Sequence, residues 1–412
     1  MVPRRGGVTL RVLHTADWHL GRTLEGRGRL DEQAAVLEEI CELAEAEAAD
    51  LVLIAGDVYD SVNPPAAAEE LFYGTLERLS AAGRRAVVAI AGNHDSPDRL
   101  CAARSLAGRH GIALVGLPGE TIPAAHGIRS GPGWLEVAVP GCGGAVVAAL
   151  PYPSEMRLGR ALRDTLDEPA LQAAYSEQVG RLLARAAERF RPGTVHLVVG
   201  HVYAAGGIES DSERPIQVGG AYTVQASAFP ADAQYVALGH LHRPQVIAGP
   251  VPIRYSGTPL AYSFSEAGQA KGVVLVEVLP GRPAQARELP LSRGRPLVVW
   301  RAAEGIPQVR RWAEAGRDPG AWIDLELHVD APLSAADIQG LRQLRAEFVH
   351  IRPVLPEQPG PAPAEARAGL PLDELFRLFY RRTTGGDVAP AVARLFAELI
   401  AEGPEDEEGA SA

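Results

Sequence analysis

Five segments of the sequence end in side chains that can bind a metal ion. The candidate ligands that follow these five apolar runs are Asp17, His19, Asp57, Asn93, His201, His240 and His242, with His94 next to Asn93. The set combines imidazole with oxygen donors and has no thiolate, which favours Mn²⁺, Fe²⁺ or Zn²⁺. Seven ligands exceed what one ion takes and suit two ions that share a carboxylate. Two ions roughly 3.5–4 Å apart can activate a water and stabilise the leaving oxygen of a phosphate ester.

Each of these residues, taken alone, also has a structural explanation. A single histidine is more often a packing or surface residue than a ligand, and Asn and Asp are typical of turns. Such explanations would have to account for each of the five segments independently. They do not explain why all five end in the same way, so the shared form favours a metal site.

The candidate ligands lie towards the carboxyl ends of apolar runs that could form buried strands. These runs are residues 8–19, 51–60, 85–95, 194–201 and 236–242. Continuous apolar runs predict strands that are covered on both faces. Helices are predicted at residues 31–50, 65–82, 97–109 and 168–189. Strands that alternate with helices predict an α/β fold on packed sheets, with the ligands at the carboxyl ends of the strands.

A cluster of prolines after residue 279 marks a change in the organisation of the chain. The sequence predicts a main domain at 1–280, a small α/β domain at 281–355, a Pro- and Ala-rich linker at 356–369, a pair of amphipathic helices at 370–402 and a disordered acidic tail at 403–412. The apolar residues of the helical pair are Leu370, Leu372, Leu375, Phe376, Leu378, Phe379, Val392, Leu395, Phe396 and Leu399. So much apolar surface after a linker either folds back on the protein or docks on a partner.

The composition of the chain indicates which partners and which cellular compartment to expect. A formal net charge of −11 argues against a basic surface, but it leaves room for a local arginine-lined groove that binds phosphates. Three scattered cysteines, Cys41, Cys101 and Cys142, fit reduced thiols. The sequence shows neither a signal peptide nor a membrane span, which predicts a cytoplasmic protein with no membrane partner.

The metal motifs, taken in order, resemble those of the calcineurin-like metallophosphoesterases. The matching segments are Asp17-x-His19, Gly56-Asp57-x-x-Asp60, Gly92-Asn93-His94-Asp95, Gly200-His201 and Gly239-His240-x-His242. More narrowly, LHTADWHLGR, AGDVYDSVNPP, AGNHDS and GHLHRPQ resemble the SbcD family, the nuclease subunits of bacterial SbcCD exonuclease complexes. The resemblance implies an α/β fold: a metallophosphoesterase β-sandwich flanked by helices, with a small α/β capping domain and a C-terminal helical segment.

The resemblance also implies roles for the site residues. One ion would be held by Asp17, His19 and His242, the other by Asn93, His201 and His240, and Asp57 would bridge them. His94 would be a catalytic side chain that orients the phosphate or protonates the leaving oxygen. Asp60 departs from archaeal and eukaryotic relatives, which carry a histidine at that place. We expect the Asp60 carboxylate to orient His94.

The family further implies a Mn²⁺-dependent nuclease that acts on double-stranded DNA ends as an exonuclease, and on single strands and hairpins as an endonuclease. Its partner would be an SbcC-type ATPase with a coiled coil, bound by the tail helices in an ATP-dependent DNA repair complex. Two copies of each chain would form a 2:2 complex.

Four arginines near the metal motifs could contact DNA phosphates, although solvated loop positions explain them equally well. They are Arg22, Arg27, Arg29 and Arg243.

Two other functions remain open from the sequence. One is a phosphoesterase for a small substrate such as a cyclic nucleotide, which would not need the modules after residue 279. The other is a scaffold that keeps the fold without its chemistry, which the complete set of candidate ligands disfavours.

Overall fold

The computed structural model describes residues 9–139, 143–154, 168–213, 222–356, 371–384 and 386–402. Residue contacts divide the chain into two compact units, Met1–Leu297 and Val298–Ala412. In the described part of the first unit the strands are β1 (Leu10–Thr15), β2 (Thr23–Leu24), β3 (Arg27–Gly28), β4 (Leu51–Ile54), β5 (Ala86–Ile90), β6 (Ile112–Val115), β7 (Ile128–Gly131), β8 (Trp134–Val137), β9 (Ala145–Leu150), β10 (Val195–His201), β11 (Tyr203–Ala204), β12 (Thr223–Val224), β13 (Tyr235–Gly239), β14 (Gln245–Ile247), β15 (Ile253–Tyr255), β16 (Gly272–Val278) and β17 (Gln285–Pro290). The helices there are α1 (Leu30–Ala46), α2 (Ala66–Ser80), α3 (Pro97–Leu100), α4 (Arg104–Ala107) and α5 (Glu168–Ala187).

Two large sheets form the centre of the first unit. The first has the strand order β17-β16-β1-β4-β5-β6, and the second has the order β14-β15-β13-β10-β9-β8-β7. In the first sheet β1, β4, β5 and β6 run parallel to one another. In the second sheet β9, β10, β13 and β15 are parallel. Each sheet therefore contains four adjacent parallel strands, and the carboxyl ends of these strands lie along one edge.

The two sheets pack face to face, with helices on the outside. One apolar core lies between the sheets and includes Val12, Leu53, Leu197 and Ala237. A second core joins the first sheet to α1 and α2, and a third joins the second sheet to α5. Full burial of a Val, Leu or Ile side chain stabilises the fold by about 1.5–3 kcal/mol, so these layers supply the rigidity of the site. The predicted sandwich flanked by helices is confirmed.

Two sequence predictions about this unit are wrong in detail. The boundary after residue 280 is too early, because β17 pairs with β16 from Gly272↔Pro290 to Glu277↔Gln285 and belongs to the first sheet. The single helix predicted at residues 97–109 is two short helices and a 3-10 turn. The chain turns after Cys101, which lets Arg104 donate from Nε to the main-chain oxygen of Leu114 at 2.8 Å.

The second unit contains a small α/β module, as the sequence predicted. Its sheet has the order β18 (Leu297–Ala302), β19 (Trp322–His328) and β20 (Phe348–Val354), with α6 (Ile306–Glu314) and α7 (Ala335–Leu344). Trp300, Ile323 and Phe348 lie in its apolar core. The Ser334 hydroxyl accepts the Asp337 N–H, and the Asp337 carboxylate accepts the Ser334 N–H, which caps α7.

Two further helices, α8 (Leu372–Thr384) and α9 (Pro390–Glu402), form the predicted helical pair. The rings of Phe376 and Phe396 stack with centroids 3.7 Å apart. Leu372, Phe379 and Leu395 are more than half exposed. None of the helices in the described ranges combines the length and the apolar character that a membrane crossing requires.

Some predictions concern residues outside the described ranges. The linker at 356–369 is described only at its first residue, and the tail at 403–412 is not described. Leu370 and Cys142 also lie outside the described residues, as does the side chain of Leu399. What the sequence indicates for these residues stays a prediction.

The two sheets approach each other closely where β4 and β13 end. A Cβ atom on Gly239 would lie 2.0 Å from the main-chain oxygen of Ala55 and 3.0 Å from the Cβ of Ala16. Since Ala16 and Ala55 lie in the loops after β1 and β4, a side chain at position 239 would push these loops apart.

We therefore predict that Gly239→Ala lowers the free energy of unfolding by about 1–3 kcal/mol, because it overpacks the meeting edge of the sheets. Gly74→Ala is the matched control, since a Cβ on Gly74 in α2 meets nothing within 4 Å. The control should raise the free energy of unfolding by about 0.5–1 kcal/mol through helix propensity. Denaturant unfolding of both variants measures the difference. A Gly239→Ala variant as stable as the unchanged protein would contradict the close approach.

Candidate metal centre

The loops after β1 and β4 lie side by side and carry Asp17, His19 and Asp57. The Asp17 N–H donates to the main-chain oxygen of Gly56 at 3.0 Å, and the His19 N–H donates to that of Asp57 at 3.0 Å. All three candidate ligands have positive φ, 54° at Asp17, 45° at His19 and 48° at Asp57. This backbone conformation is costly for L-residues, and it persists where the surrounding structure holds functional side chains in place.

The loop after β5 is tied to the loop after β4 by the buried carboxylate of Asp95. Its oxygens accept main-chain N–H groups from Val58 at 3.1 Å, Tyr59 at 2.9 Å and Gly92 at 2.8 Å. Burial raises the pKa of Asp95 to about 6. The sequence motif contained Asp95, but this clasp between two loops was not predicted.

The second sheet contributes histidines from the ends of β10 and β13. His201 donates from Nδ1 to the main-chain oxygen of Ala55 at 2.8 Å, so its Nε2 faces the Asn93 side-chain oxygen at 2.9 Å. The same Asn93 oxygen lies 3.1 Å from Nδ1 of His240. The His240 N–H donates to the Asp17 carboxylate at 2.9 Å, which joins the two sheets. Asn93, His201 and His240 thus form one converging group of donor atoms.

A second group of donor atoms surrounds His19. Its Nε2 lies 3.0 Å from Nε2 of His242, and the Asp17 carboxylate is close enough to share an ion with both imidazoles. The Oδ2 atom of Asp57 is 3.7 Å from Nε2 of His19 and 3.5 Å from Nε2 of His201. Asp57 therefore lies between the two groups. The structure brings all seven predicted ligands together.

Burial and mutual pairing set the protonation of these residues in the absence of a metal. Burial raises the pKa of Asp17 well above its usual value. Burial also raises the pKa of Asp57, but the nearby His201 has a larger opposite effect. The pKa of Asp57 is therefore well below its usual value. Burial lowers the pKa of His201, yet Asp57 outweighs this effect and the net pKa is about 9. Burial lowers the pKa of His19 to about 3. Burial also lowers the pKa of His240 well below its usual value, so both imidazoles are neutral and can bind a metal. Buried carboxylates beside neutral imidazoles fit divalent metal ions.

His94 lies beside this cluster and is held by the main chain of Asp60. Its Nδ1 donates to the Asp60 carbonyl oxygen at 2.7 Å. The Asp60 carboxylate instead lies 3.4 Å from Nδ1 of His19 and 3.7 Å from a guanidinium nitrogen of Arg22. The prediction that this carboxylate orients His94 is wrong, because the main-chain carbonyl makes the hydrogen bond.

The four predicted DNA-contacting arginines differ in their surroundings. Arg29 is buried, and its guanidinium donates to both carboxylate oxygens of Glu32 and to the main-chain oxygen of Ala261. The prediction that Arg29 contacts DNA is therefore wrong. Arg22 donates to the main-chain oxygen of Ser212 at 2.8 Å and is partly buried, as is Arg27, whereas Arg243 is exposed.

Sequence reasoning missed a set of residues behind His242. The Ser212 hydroxyl lies 2.5 Å from Nδ1 of His242 and donates to Glu266 at 2.6 Å. Lys271 forms an ion pair with Glu266, and Glu213 accepts the His242 N–H at 2.7 Å. One signal pointed to this set, since Lys271 is the only lysine in a chain whose other basic residues are arginines.

Comparison with known proteins agrees with this geometry. Residues 10–244, more than half of the chain, match the family model described as calcineurin-like phosphoesterase. The match begins with β1 and ends just after His242, so it spans every candidate ligand. The predicted fold class and the predicted class of enzyme, a metal-dependent phosphoesterase, are confirmed.

Relatives of similar length are named as the SbcD subunit of the nuclease SbcCD. The relative from Bacillus subtilis (strain 168) is 48% identical over 402 residues, which are 97% of this chain and 100% of that protein. The proteins of the same name from Rhodobacter capsulatus and Escherichia coli (strain K12) are 34% and 30% identical, over 86% and 84% of this chain and 90% and 84% of their own. The chain therefore belongs to the calcineurin-like phosphoesterases and, within them, to the SbcD family of nucleases.

Proposed function

We propose that this chain is the nuclease subunit of an SbcCD-type DNA repair complex and hydrolyses DNA phosphodiester bonds with two divalent metal ions. The position of Asp57 carries the proposal. Its Oδ2 lies 3.7 Å from Nε2 of His19 in one donor group and 3.5 Å from Nε2 of His201 in the other. A carboxylate between two such groups suits a ligand shared by two ions. The name of the relatives, which calls them nucleases, supports a nucleic acid as the substrate.

Each donor group would hold one ion. The first group is Asp17, His19 and His242, the second is Asn93, His201 and His240, and Asp57 is shared. The donors are imidazole, carboxylate and amide oxygen, and none of these seven residues offers a thiolate. This chemistry supports Mn²⁺, the ion we expect.

The protein's own catalytic group would be His94. Its Nδ1 proton is held by the Asp60 carbonyl, so Nε2 is the atom that can give a proton. In the acid form, His94 would hand the Nε2 proton to the departing sugar oxygen. The hydrogen bond at Nδ1 fixes the plane of the ring for this transfer. Bound divalent ions would neutralise the phosphate and lower the pKa of the attacking water.

DNA ends and hairpins are the substrates we propose, with exonuclease action on duplex ends and endonuclease action on single strands. Arg243 is exposed just after His242 and could contact the DNA backbone, as could Arg22 and Arg27. The complete donor set argues against a scaffold without chemistry. A small phosphoester substrate would leave the second unit without a role.

The helical pair would dock on an SbcC-type ATPase at the base of its coiled coil. Leu372, Phe379 and Leu395 expose 56%, 59% and 56% of their surface, which supports an apolar docking face. The name of the relatives describes one subunit of SbcCD, which supports assembly with a second kind of chain. We propose a 2:2 complex in the cytoplasm.

We predict that His94→Gln abolishes cleavage of linear duplex DNA in the presence of Mn²⁺. Glutamine cannot transfer a proton in this role, and a positioned acid typically contributes about 10²–10⁴-fold to the rate. Mn²⁺ and DNA should still bind, because His94 belongs to neither donor group. Nuclease assays, Mn²⁺ titration and DNA binding measure these effects.

The exposed residue His126 provides the matched control for this variant. His126→Gln should keep the cleavage rate of the unchanged protein. A near-normal rate for His94→Gln would rule out proton transfer by His94.

We also predict that the double substitution Phe379→Glu and Leu395→Glu abolishes binding to the ATPase partner. Charges in the centre of an apolar interface are costly to bury without a partner. The variant should keep the Mn²⁺-dependent nuclease activity of the isolated chain, since both residues lie in the second unit. Arg377→Glu, an exposed change in α8, is the control and should still bind. Co-purification measures complex formation, and normal assembly of the double variant would refute docking by these helices.

A further inference from the structure

We propose that Lys271, Glu266 and Ser212 form a buried relay that fixes the tautomer of His242 and so sets the affinity of one of the two ions. These are positioning residues, because they act on the metal site only through His242. The inference rests on the proposed function, since it deepens the role given to His242. None of Ser212, Glu266 and Lys271 belongs to the five ligand motifs.

The direction of each hydrogen bond follows from the chemistry of its partners. The carboxylate of Glu266 can only accept, so the Ser212 hydroxyl donates its single proton to Glu266 Oε1 at 2.6 Å. With that proton committed, the Ser212 oxygen is an acceptor towards Nδ1 of His242 at 2.5 Å. His242 therefore carries its proton on Nδ1. Its Nε2 keeps a free lone pair, and this is the atom that lies 3.0 Å from Nε2 of His19.

Lys271 stabilises the ionised carboxylate of Glu266, which can only accept hydrogen bonds. Its ammonium contacts Glu266 Oε2 and donates to the Thr258 hydroxyl at 2.8 Å. Glu266 is fully buried and Lys271 is 9% exposed. Burial alone raises the pKa of Glu266, but His242 and Lys271 outweigh it and hold the pKa well below its usual value. A buried ion pair typically contributes little to stability. We therefore assign the pair of Lys271 and Glu266 the role of orienting the Ser212 hydroxyl.

The main chain of His242 is fixed by the same set. Its N–H donates to Glu213 at 2.7 Å, and its carbonyl oxygen accepts from Lys271 Nζ at 3.1 Å and from the Thr258 N–H at 3.1 Å. His242 is thus held at Nδ1, at N and at O. By contrast, the Nδ1 proton of His201 goes directly to the main-chain oxygen of Ala55. The two donor groups therefore depend on different supports.

This difference predicts an effect on one ion only. Loss of a partner that orients a ligating histidine typically weakens metal binding by about 10–100-fold. Removal of the Ser212 hydroxyl should weaken the ion held by Asp17, His19 and His242. The ion held by Asn93, His201 and His240 should keep its affinity.

The test is a Mn²⁺ titration of the full-length chain after chelation, read from the electron paramagnetic resonance of free Mn²⁺. The unchanged protein should bind two ions. Ser212→Ala should bind one ion normally and the other about 10–100-fold more weakly. Ser212→Thr keeps the hydroxyl and should restore the second affinity. Thermal unfolding of the chelated proteins should be similar for Ser212→Ala and Ser212→Thr.

The outcomes separate the two claims. Two ions in the unchanged protein and unaltered binding by Ser212→Ala would overturn the relay and leave the proposed function intact. Equal weakening of both ions, or no rescue by Ser212→Thr, would also overturn the relay. Fewer than two ions in the unchanged protein would overturn the proposed function and the relay with it. If Ser212→Ala does not fold, Ser212→Cys replaces it, since a thiol is a poor hydrogen-bonding group of similar shape.

Discussion

Two acidic side chains, Asp17 and Asp57, lie buried where the two sheets meet, and each needs a nearby positive charge in order to be ionised there. A buried charge without a partner is costly, so it is paired or binds a metal. Among the protein's own groups, the imidazole of His201 supplies part of this positive charge, because its pKa is raised. The neutral imidazoles nearby supply no charge, but they can bind metal cations, and these would supply the rest.

The fold supplies the rigidity that such a cluster requires. Parallel strands from both sheets deliver their loops to one edge, and the lack of a side chain at Gly239 lets the loops touch. The clasp of Asp95 and the positive φ angles of Asp17, His19 and Asp57 show that these loops are held in a fixed conformation. Ligand positions set by packed layers suit two ions, whose separation must be held within narrow limits.

The convergence of the candidate ligands could be predicted because each follows an apolar run, and strand ends converge in an α/β fold. An α/β fold on packed sheets and a small second module followed from the pattern of strands and helices, whereas the sandwich flanked by helices came from the resemblance to the family. The individual side-chain contacts could not be predicted, because they depend on which atom of a residue faces which neighbour. Asp60 holds His94 through its carbonyl oxygen, and Arg29 is buried against Glu32, although the sequence shows only a charged residue at each position. Ser212, Glu266 and Lys271 are separated along the chain, and folding alone brings them to His242.

The most direct test of a dinuclear centre is the anomalous X-ray scattering of Mn²⁺ in crystals of the full-length protein. Two anomalous peaks should lie on either side of the Asp57 carboxylate, roughly 3.5–4 Å apart. One should contact Asp17, His19 and His242, and the other Asn93, His201 and His240. A single peak, or a second peak away from Asp57, would contradict the shared site.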